Sequence, residues 1–149
     1  MICFSPVNSD AIGALTDLER SATPHPWTAQ NLLDSYKSSA DCYRIERLGE
    51  IIGYCVVQPV LDEAELLNIV IFKSFQSQGY GSKVVRKLKQ ELAASGIKIL
   101  YLEVRVSNLI AKTLYEKSGF EVVDIRKNYY RTGNQAIEDA LVMCCSLQI

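Results

Sequence analysis

Phe75-Gln76-Ser77-Gln78-Gly79-Tyr80-Gly81-Ser82 is the stretch that decides how the chain is read. Ahead of it, Leu66-Leu67-Asn68-Ile69-Val70-Ile71-Phe72 is a mostly apolar run and reads as a buried strand. Behind it, Val84, Val85, Leu88, Leu92 and Ala93 share one helical stripe, with Lys83, Arg86, Lys87 and Lys89 mostly off it. The join is Gln-x-x-Gly-x-Gly. Glycines between a strand and a helix let the backbone approach a ligand closely, and the helix's first N–H groups lack internal partners. Together with the positive end of the helix dipole, those donors suit a pyrophosphate. A turn that merely needs glycine is the plainer reading of the same residues. The third glycine of a dinucleotide fingerprint is missing, and so is the Gly-Lys-Ser/Thr of a Walker loop.

The rest of the chain narrows the choices. At 149 residues it is the size of one domain, spanning 1–149 and able to bury a real core. Apolar residues make up 48% and charged residues 22%, the balance of a soluble globular protein. A net charge of −1 argues against a broad electrostatic grip on nucleic acid, so no direct nucleic-acid binding is expected. No apolar run has bilayer-spanning length, and Met1 to Pro6 lacks signal-peptide features, so a cytoplasmic protein with no membrane association is expected. Cys3, Cys42, Cys55, Cys144 and Cys145 are odd in number and scattered, with no metal spacing to the lone His25. They read as buried reduced thiols, and no metal is expected.

In chain order, Ile2–Val7 reads as a strand, and Asn8-Ser9-Asp10 as the cap of a helix to Arg20 with Ile12, Leu15 and Leu18 inward. A proline-marked loop over residues 21–27 precedes a second helix, capped by Thr28 and ending near Ser38. Cys42–Leu48 and Ile51–Leu61 form a hairpin about Gly49-Glu50, and Asp62-Glu63 turns into the strand before the glycine loop. Ser95-Gly96 stops the long helix. Ile97–Val104 then reads as a strand covered on both sides. Ser107 or Asn108 caps a helix to Ser118-Gly119, and Phe120–Tyr130 and Ala136–Leu147 close the chain around Arg131-Thr132-Gly133-Asn134. The fold class is α/β, a mixed sheet of about seven strands with four helices.

Three groups stand out for chemistry. Glu103 lies inside an apolar strand, where burial tends to raise a carboxyl pKa toward the range of a general base. The alternative is a structural pair with Arg105 or Arg126, or exposure at a sheet edge. Asn108 and Tyr115 are seven residues apart and share a helix face, so a Tyr hydroxyl able to protonate a leaving group lies beside a ligand-contacting Asn. Core packing is the plainer reading of that tyrosine. Leu67–Phe72 matters through its backbone: if the strand splays from its neighbour, its amides can pair with an extended pantetheine arm or polarise a carbonyl. His25 and Trp27 are candidates for an acceptor pocket. Asp62, Glu63, Glu65, Glu138 and Asp139 are candidates for an acidic mouth. Lys83, Arg86 and Lys87 reach a nucleotide phosphate or simply face water.

Gln-x-x-Gly-x-Gly between strand and helix resembles the acetyl-CoA loop of the GCN5-related N-acetyltransferase superfamily. Pro26-Trp27-Thr28, Val60 to Ile69, Leu102-Glu103-Val104-Arg105-Val106-Ser107-Asn108, Leu114 to Phe120, Arg126 to Tyr130 and Glu138-Asp139-Ala140 extend the likeness over essentially the whole chain. They resemble the RimI type, bacterial enzymes that acetylate the N-terminal alanine of the eighteenth small-subunit ribosomal protein. The resemblance implies acetyl-CoA as cosubstrate, a ribosomal protein N-terminus as acceptor, Glu103 as base through water and Tyr115 as acid toward the CoA thiolate. It implies cofactor contacts at Ile69, Val70, Ile71, Ser77, Gln78, Gly79, Tyr80, Gly81, Ser82 and Asn108. The alternatives are transfer to a lysine or small amine, or a non-catalytic acyl-CoA sensor. Lys73-Ser74 in place of the family's Asp-Pro and His25 in place of an apolar residue are departures.

Overall fold

Tight hairpins build one half of the molecule, a computed structural model that describes residues 1–131 and 137–147. β1 (Ile2–Pro6) pairs antiparallel with β2 (Asp41–Arg47), β2 with β3 (Glu50–Val60), and β3 with β4 (Glu63–Ile71). The first turn is Leu48-Gly49, at φ 53° and 80°, one residue earlier than the expected Gly49-Glu50. The pair Arg47↔Glu50 closes it, and two positive φ values match the twist of a two-residue hairpin. Leu61-Asp62 likewise replaces Asp62-Glu63, because Glu63 already pairs with Val60.

The other half needs crossovers. β4 runs parallel to β5 (Ile99–Arg105), and α3 (Tyr80–Ala94) makes the connection. From β5, α4 (Leu109–Lys117) leads to β6 (Glu121–Arg131), the edge strand beside β7 (Ile137–Ser146). The mixed seven-stranded order is β1-β2-β3-β4-β5-β7-β6, and with four α-helices the fold is α/β as expected. Past Arg131 the expected final turn lies outside the described residues.

Each face of the sheet buries its own cluster. Under α1 (Ile12–Arg20) and α2 (Ala29–Lys37) lie Val7, Ile12, Leu15, Leu32, Tyr54, Val56 and Val70. Under α3 and α4 lie Val84, Val85, Leu88, Leu100, Leu102, Val104, Tyr115 and Met143. A capping box starts α2: Thr28 Oγ1 accepts from the Asn31 amide and Asn31 Oδ1 from the Thr28 amide. Such a cap contributes about 1 kcal/mol. Leu32, with no exposed surface, seats the helix; burying a leucine contributes about 1.5–3 kcal/mol.

Two expectations of burial change. Leu18 is half-exposed, and Glu19, at 1% exposure, turns inward instead. The α-helix starts only at Ile12, after a 3₁₀ turn over Ser9–Ala11, so its inner face runs Ile12, Leu15, Thr16, Glu19; Asn8 makes no side-chain cap. β5 is buried on one side only. Leu100, Leu102 and Val104 face α3 and α4, whereas Ile99, Tyr101, Glu103 and Arg105 are half-buried, because the cluster under α1 and α2 includes no β5 residue. Of the free thiols, Cys42, Cys55 and Cys145 are buried, Cys144 is half-buried and Cys3 is exposed. No helix among the described residues is long and apolar enough to cross a membrane.

Candidate active site

The sheet opens where β4 and β5 part. Their pairing runs from Glu63↔Ile99 to Leu66↔Leu102 and stops, although β4 continues to Ile71 and β5 to Arg105. The cause is a bulge. Val57 faces Leu66 and Val56 faces Asn68, so Leu67 is an extra residue and β4 bends away. Beyond the bulge, β4 backbone groups directed away from β3 border the gap, the arrangement that suits an extended ligand. Close β3–β4 approach also dictates a glycine: a Cβ on Gly53 would stand 1.9 Å from the Val70 carbonyl oxygen.

At the end of β4 a single 3₁₀ turn, Lys73–Phe75, leads into the glycine loop. Ser77 has φ 61°, and Gly79, the N-cap of α3, has φ 82°, a conformation that favours glycine. The loop is braced by its own glutamines. Gln76 Nε2 donates to the Ile71 and Ala22 carbonyls, each at 2.9 Å, and Gln78 Nε2 to the Ser74 carbonyl at 3.0 Å. Gly81 has a different reason from ligand approach: its Cβ would meet Leu114 Cδ2 at 3.2 Å, so it lets α4 pack on α3. Its N–H still belongs to the first turn, which has no internal partners. Arg47, which no sequence motif singles out, stands 5.4 Å from the Tyr80 ring centre, with Lys83 at 5.8 Å. Both bring positive charge to the loop. Lys87 is directed to Glu91, and Arg86 lines a groove of about 880 Å³ beside α3 that also takes in Ser82.

Glu103 lies on the opposite side of the sheet from α3 and α4, in a pocket of about 430 Å³. Trp27 and Asp34 from the α2 region, Glu65 and Leu67 from β4, and Tyr129 and Tyr130 from β6 complete it. The Tyr129 hydroxyl hydrogen-bonds to Glu103, which with partial burial raises the Tyr129 pKa. Arg126 Nε is 3.4 Å from Glu103 Oε1, so one of the two structural partners anticipated from sequence is present; Arg105 turns instead to Glu138. Burial, reinforced by the Glu103 charge, raises Glu65 above the usual carboxylate range. The same two causes push Tyr130 up to about 12.

Tyr115 approaches from the other side. It is buried in the cluster with Leu102 and Val104, its ring 5.6 Å from Phe120, and burial pushes its hydroxyl up to about 12. It therefore keeps its proton across the neutral range, as an acid must. Asn108 caps α4, its Oδ1 accepting from the Ala111 amide. Glu103 and Tyr115 thus lie on opposite faces of the sheet.

The anticipated acidic mouth mostly dissolves. Asp62 is paired with Lys98 and Glu63 is exposed. Glu138 accepts from the Ser107 amide and Arg105, Asp139 from the Asn128 amide and Lys127, and these partners hold both carboxyls below their usual range. They brace the chain before α4 and the β6 bulge. Glu65 alone of the five lines the pocket. His25 is exposed outside it, while its neighbour Trp27 is a wall. Asn31, Asp34 and Ser35, on one side of α2, join the lining without a signal in the sequence that separates them from any wet helix face.

A gap between two strands of a mixed sheet lies beside a glycine loop at a helix start, with a half-buried carboxylate on one face of the sheet. The model of the Acetyltransferase (GNAT) family matches residues 12–120, and the chain belongs to that family. The [Ribosomal protein bS18]-alanine N-acetyltransferase of Haemophilus influenzae is 38% identical over 99% of this chain and 100% of its own. The Escherichia coli K12 protein of the same name is 32% identical over the full length of both. The crystal structure of the Escherichia coli ribosomal-protein-S18-alanine N-acetyltransferase superimposes with a TM-score of 0.87 at 32% identity, over 100% of this chain and 96% of that one. A GNAT family acetyltransferase from Elizabethkingia anophelis, solved with acetyl-CoA bound, is 26% identical with a TM-score of 0.77, over 97% of each chain.

Proposed function

We infer that the protein transfers the acetyl group of acetyl-CoA to the N-terminal α-amine, an alanine, of ribosomal protein bS18. The observation that carries this reading is the gap between β4 and β5, with an acidic, aromatic pocket holding Glu103 on one face of the sheet and Tyr115 buried on the other. Such a gap lets two substrates meet from opposite sides without a covalent enzyme intermediate. The relatives of that name, alike over the full chain, supply the acceptor. The whole of 1–149 is one N-acetyltransferase domain, and an enzyme with this acceptor works in the cytoplasm, where ribosomes are assembled.

Residue by residue, the unpaired edge of β4 at Ile69, Val70 and Ile71 holds the pantetheine arm. The loop Ser77 to Ser82 and the start of α3 hold the pyrophosphate, and Asn108 supports the cofactor from the start of α4. Glu103, through water, removes a proton from the α-ammonium, whose ordinary pKa near 8 makes this a modest demand. The freed nitrogen attacks the thioester carbon, polarised by a β4 amide, and the carbon–sulfur bond breaks. The departing sulfur takes the Tyr115 proton. Mass spectrometry of a bS18 N-terminal peptide incubated with acetyl-CoA tests the reading. One acetyl group on the α-amine is expected. Modification of lysine side chains alone, or thermal stabilisation by acetyl-CoA with no thiol released, overturns it in favour of a lysine acetyltransferase or an acyl-CoA sensor.

A further inference from the structure

The most buried charged side chain described belongs to neither substrate side. Glu19 is 1% exposed, and among the described residues no Lys, Arg or His nitrogen lies within 4 Å of its carboxylate. A carboxylate in such surroundings is costly unless donors surround it. Three do. Its Oε2 accepts from the Trp27 amide at 3.1 Å and from Asn68 Nδ2 at 3.3 Å, and its Oε1 accepts from the Tyr54 hydroxyl. Asn68 Nδ2 also donates to Tyr54 Oη at 2.9 Å.

The partners matter more than their number. Trp27 is a wall of the acceptor pocket. Asn68 is the first β4 residue after the extra Leu67, where the gap opens. Apart from the Thr28 capping box and the packing of Trp27 against the cluster under α1 and α2, the far end of the loop between these helices has little to fix it. Pro24 and Pro26 carry no N–H, and the His25 amide donates only within the loop, to Thr23 Oγ1. Its near end is held by Gln76 at the Ala22 carbonyl. A fold that only needed filling here would be served as well by an apolar side chain.

We propose that Glu19 is a positioning residue that fixes the acceptor pocket, tying the Trp27 wall to the open part of β4. This rests on the acetyltransferase reading for what the pocket holds, though not for the geometry it predicts. Trp27 is the sole tryptophan, so its fluorescence reports the wall directly. Glu19→Met keeps much of the shape but offers no acceptor, so the Trp27 amide, Asn68 Nδ2 and the Tyr54 hydroxyl lose their shared partner. The KM for the acceptor peptide should rise about tenfold, the effect of one hydrogen bond, that of the Trp27 amide, while kcat and the Kd for acetyl-CoA stay within about twofold. Trp27 emission should shift to the red and acrylamide should quench it more. Tyr54→Phe removes a different donor from the same carboxylate, so Tm should fall with KM and emission unchanged. In the unaltered protein the Trp27 amide should be protected from hydrogen exchange.

A Glu19→Met protein that loses Tm but keeps its KM and emission overturns the proposal, as does a freely exchanging Trp27 amide in the unaltered protein. If Glu19→Met does not fold, the exchange measurement decides. If the unaltered protein does not acetylate the peptide, the functional reading fails, and fluorescence and exchange still decide the role of Glu19.

Discussion

The two sides of the β4–β5 gap are built from different materials. On the α3 side, the proposed cofactor contacts come from backbone: the open edge of β4, the loop around Gly79 and the first turn of α3, all within residues 67–82. On the other side, contacts come from side chains on well-separated segments, with Trp27, Asp34, Glu65, Glu103 and Tyr129 converging on one pocket. A backbone site recognises what every acetyl-CoA presents, an extended amide-bearing arm and a pyrophosphate. A side-chain site is free to change with the acceptor. Damage on the first side should weaken cofactor binding, and damage on the second should change chemistry or selectivity while leaving the cofactor bound.

The largest effects belong to Glu103 and Tyr115, and their pH profiles should separate the two faces. Glu103→Gln should lower turnover by about 10²–10⁴-fold, the range for one acid–base group, and rising pH should restore part of it by deprotonating the amine unaided. Tyr115→Phe should lose about as much and show no such rescue, since the missing proton is on the leaving-group side. The Tyr115 hydroxyl, at about 12, sits above its ordinary value of 10. The folded protein therefore holds this proton more tightly than the unfolded chain. Its contribution to stability is complete below about 10 and is lost as pH rises toward 12. Tyr115→Phe should accordingly flatten the alkaline fall in stability between those values. Parallel activity profiles with small losses would make both residues structural.

The same contrast explains how much could be read from the chain. The glycine loop, the capped helices and the hairpins are set by neighbours in sequence, so strand–loop–helix around Gly79 and the mixed sheet were legible. Glu103 was visible as a carboxylate in an apolar strand. Of the residues around it, Trp27, Glu65 and Arg126 were anticipated too, and Tyr129 entered through the resemblance; Asp34 was not, because it has no local property that separates it from other surface polar residues. Glu19 was hidden for another reason. A 3₁₀ turn delays the start of α1 and exchanges the buried positions, turning Leu18 outward and Glu19 inward. Gly81 was legible as a required glycine, but the contact that requires it, Leu114, is 33 positions along the chain.

That contact provides a smaller break, confined to the α3 side. Gly81→Val places methyl groups where Leu114 Cδ2 already stands 3.2 Å from the Cβ position, so α3 and α4 must separate slightly. Overpacking of this kind costs about 1–3 kcal/mol. Since the displaced first turn of α3 is the proposed carrier of the pyrophosphate donors, acetyl-CoA affinity should fall about tenfold, a loss of about 1.4 kcal/mol. The acceptor KM at saturating cofactor should stay put. Calorimetry with acetyl-CoA checks this. Unchanged affinity beside a lowered Tm would remove the loop from the cofactor site.

The smallest expected effect tests whether the other side selects by charge. Glu65 is the one carboxylate of the anticipated acidic mouth that lines the pocket, and burial with the Glu103 charge raises its pKa. A raised carboxyl pKa means that the folded protein favours the protonated form more than the unfolded chain does. Its stabilising contribution is complete below the unfolded value and is lost as pH rises through the folded one, so at neutral pH the ionised group is a liability to the fold. Glu65→Gln should raise Tm at pH 7 by about 2 °C, a small increment for a domain of this size, and not at pH 4. A side chain retained against stability suggests use in binding. The same variant should weaken acceptors with a Lys or Arg just after the N-terminal alanine by about threefold in KM, leave a neutral peptide unaffected, and lose the distinction in high salt. If Glu65→Gln lowers Tm at pH 7, or shifts basic and neutral peptides equally, selection by charge at this pocket is excluded.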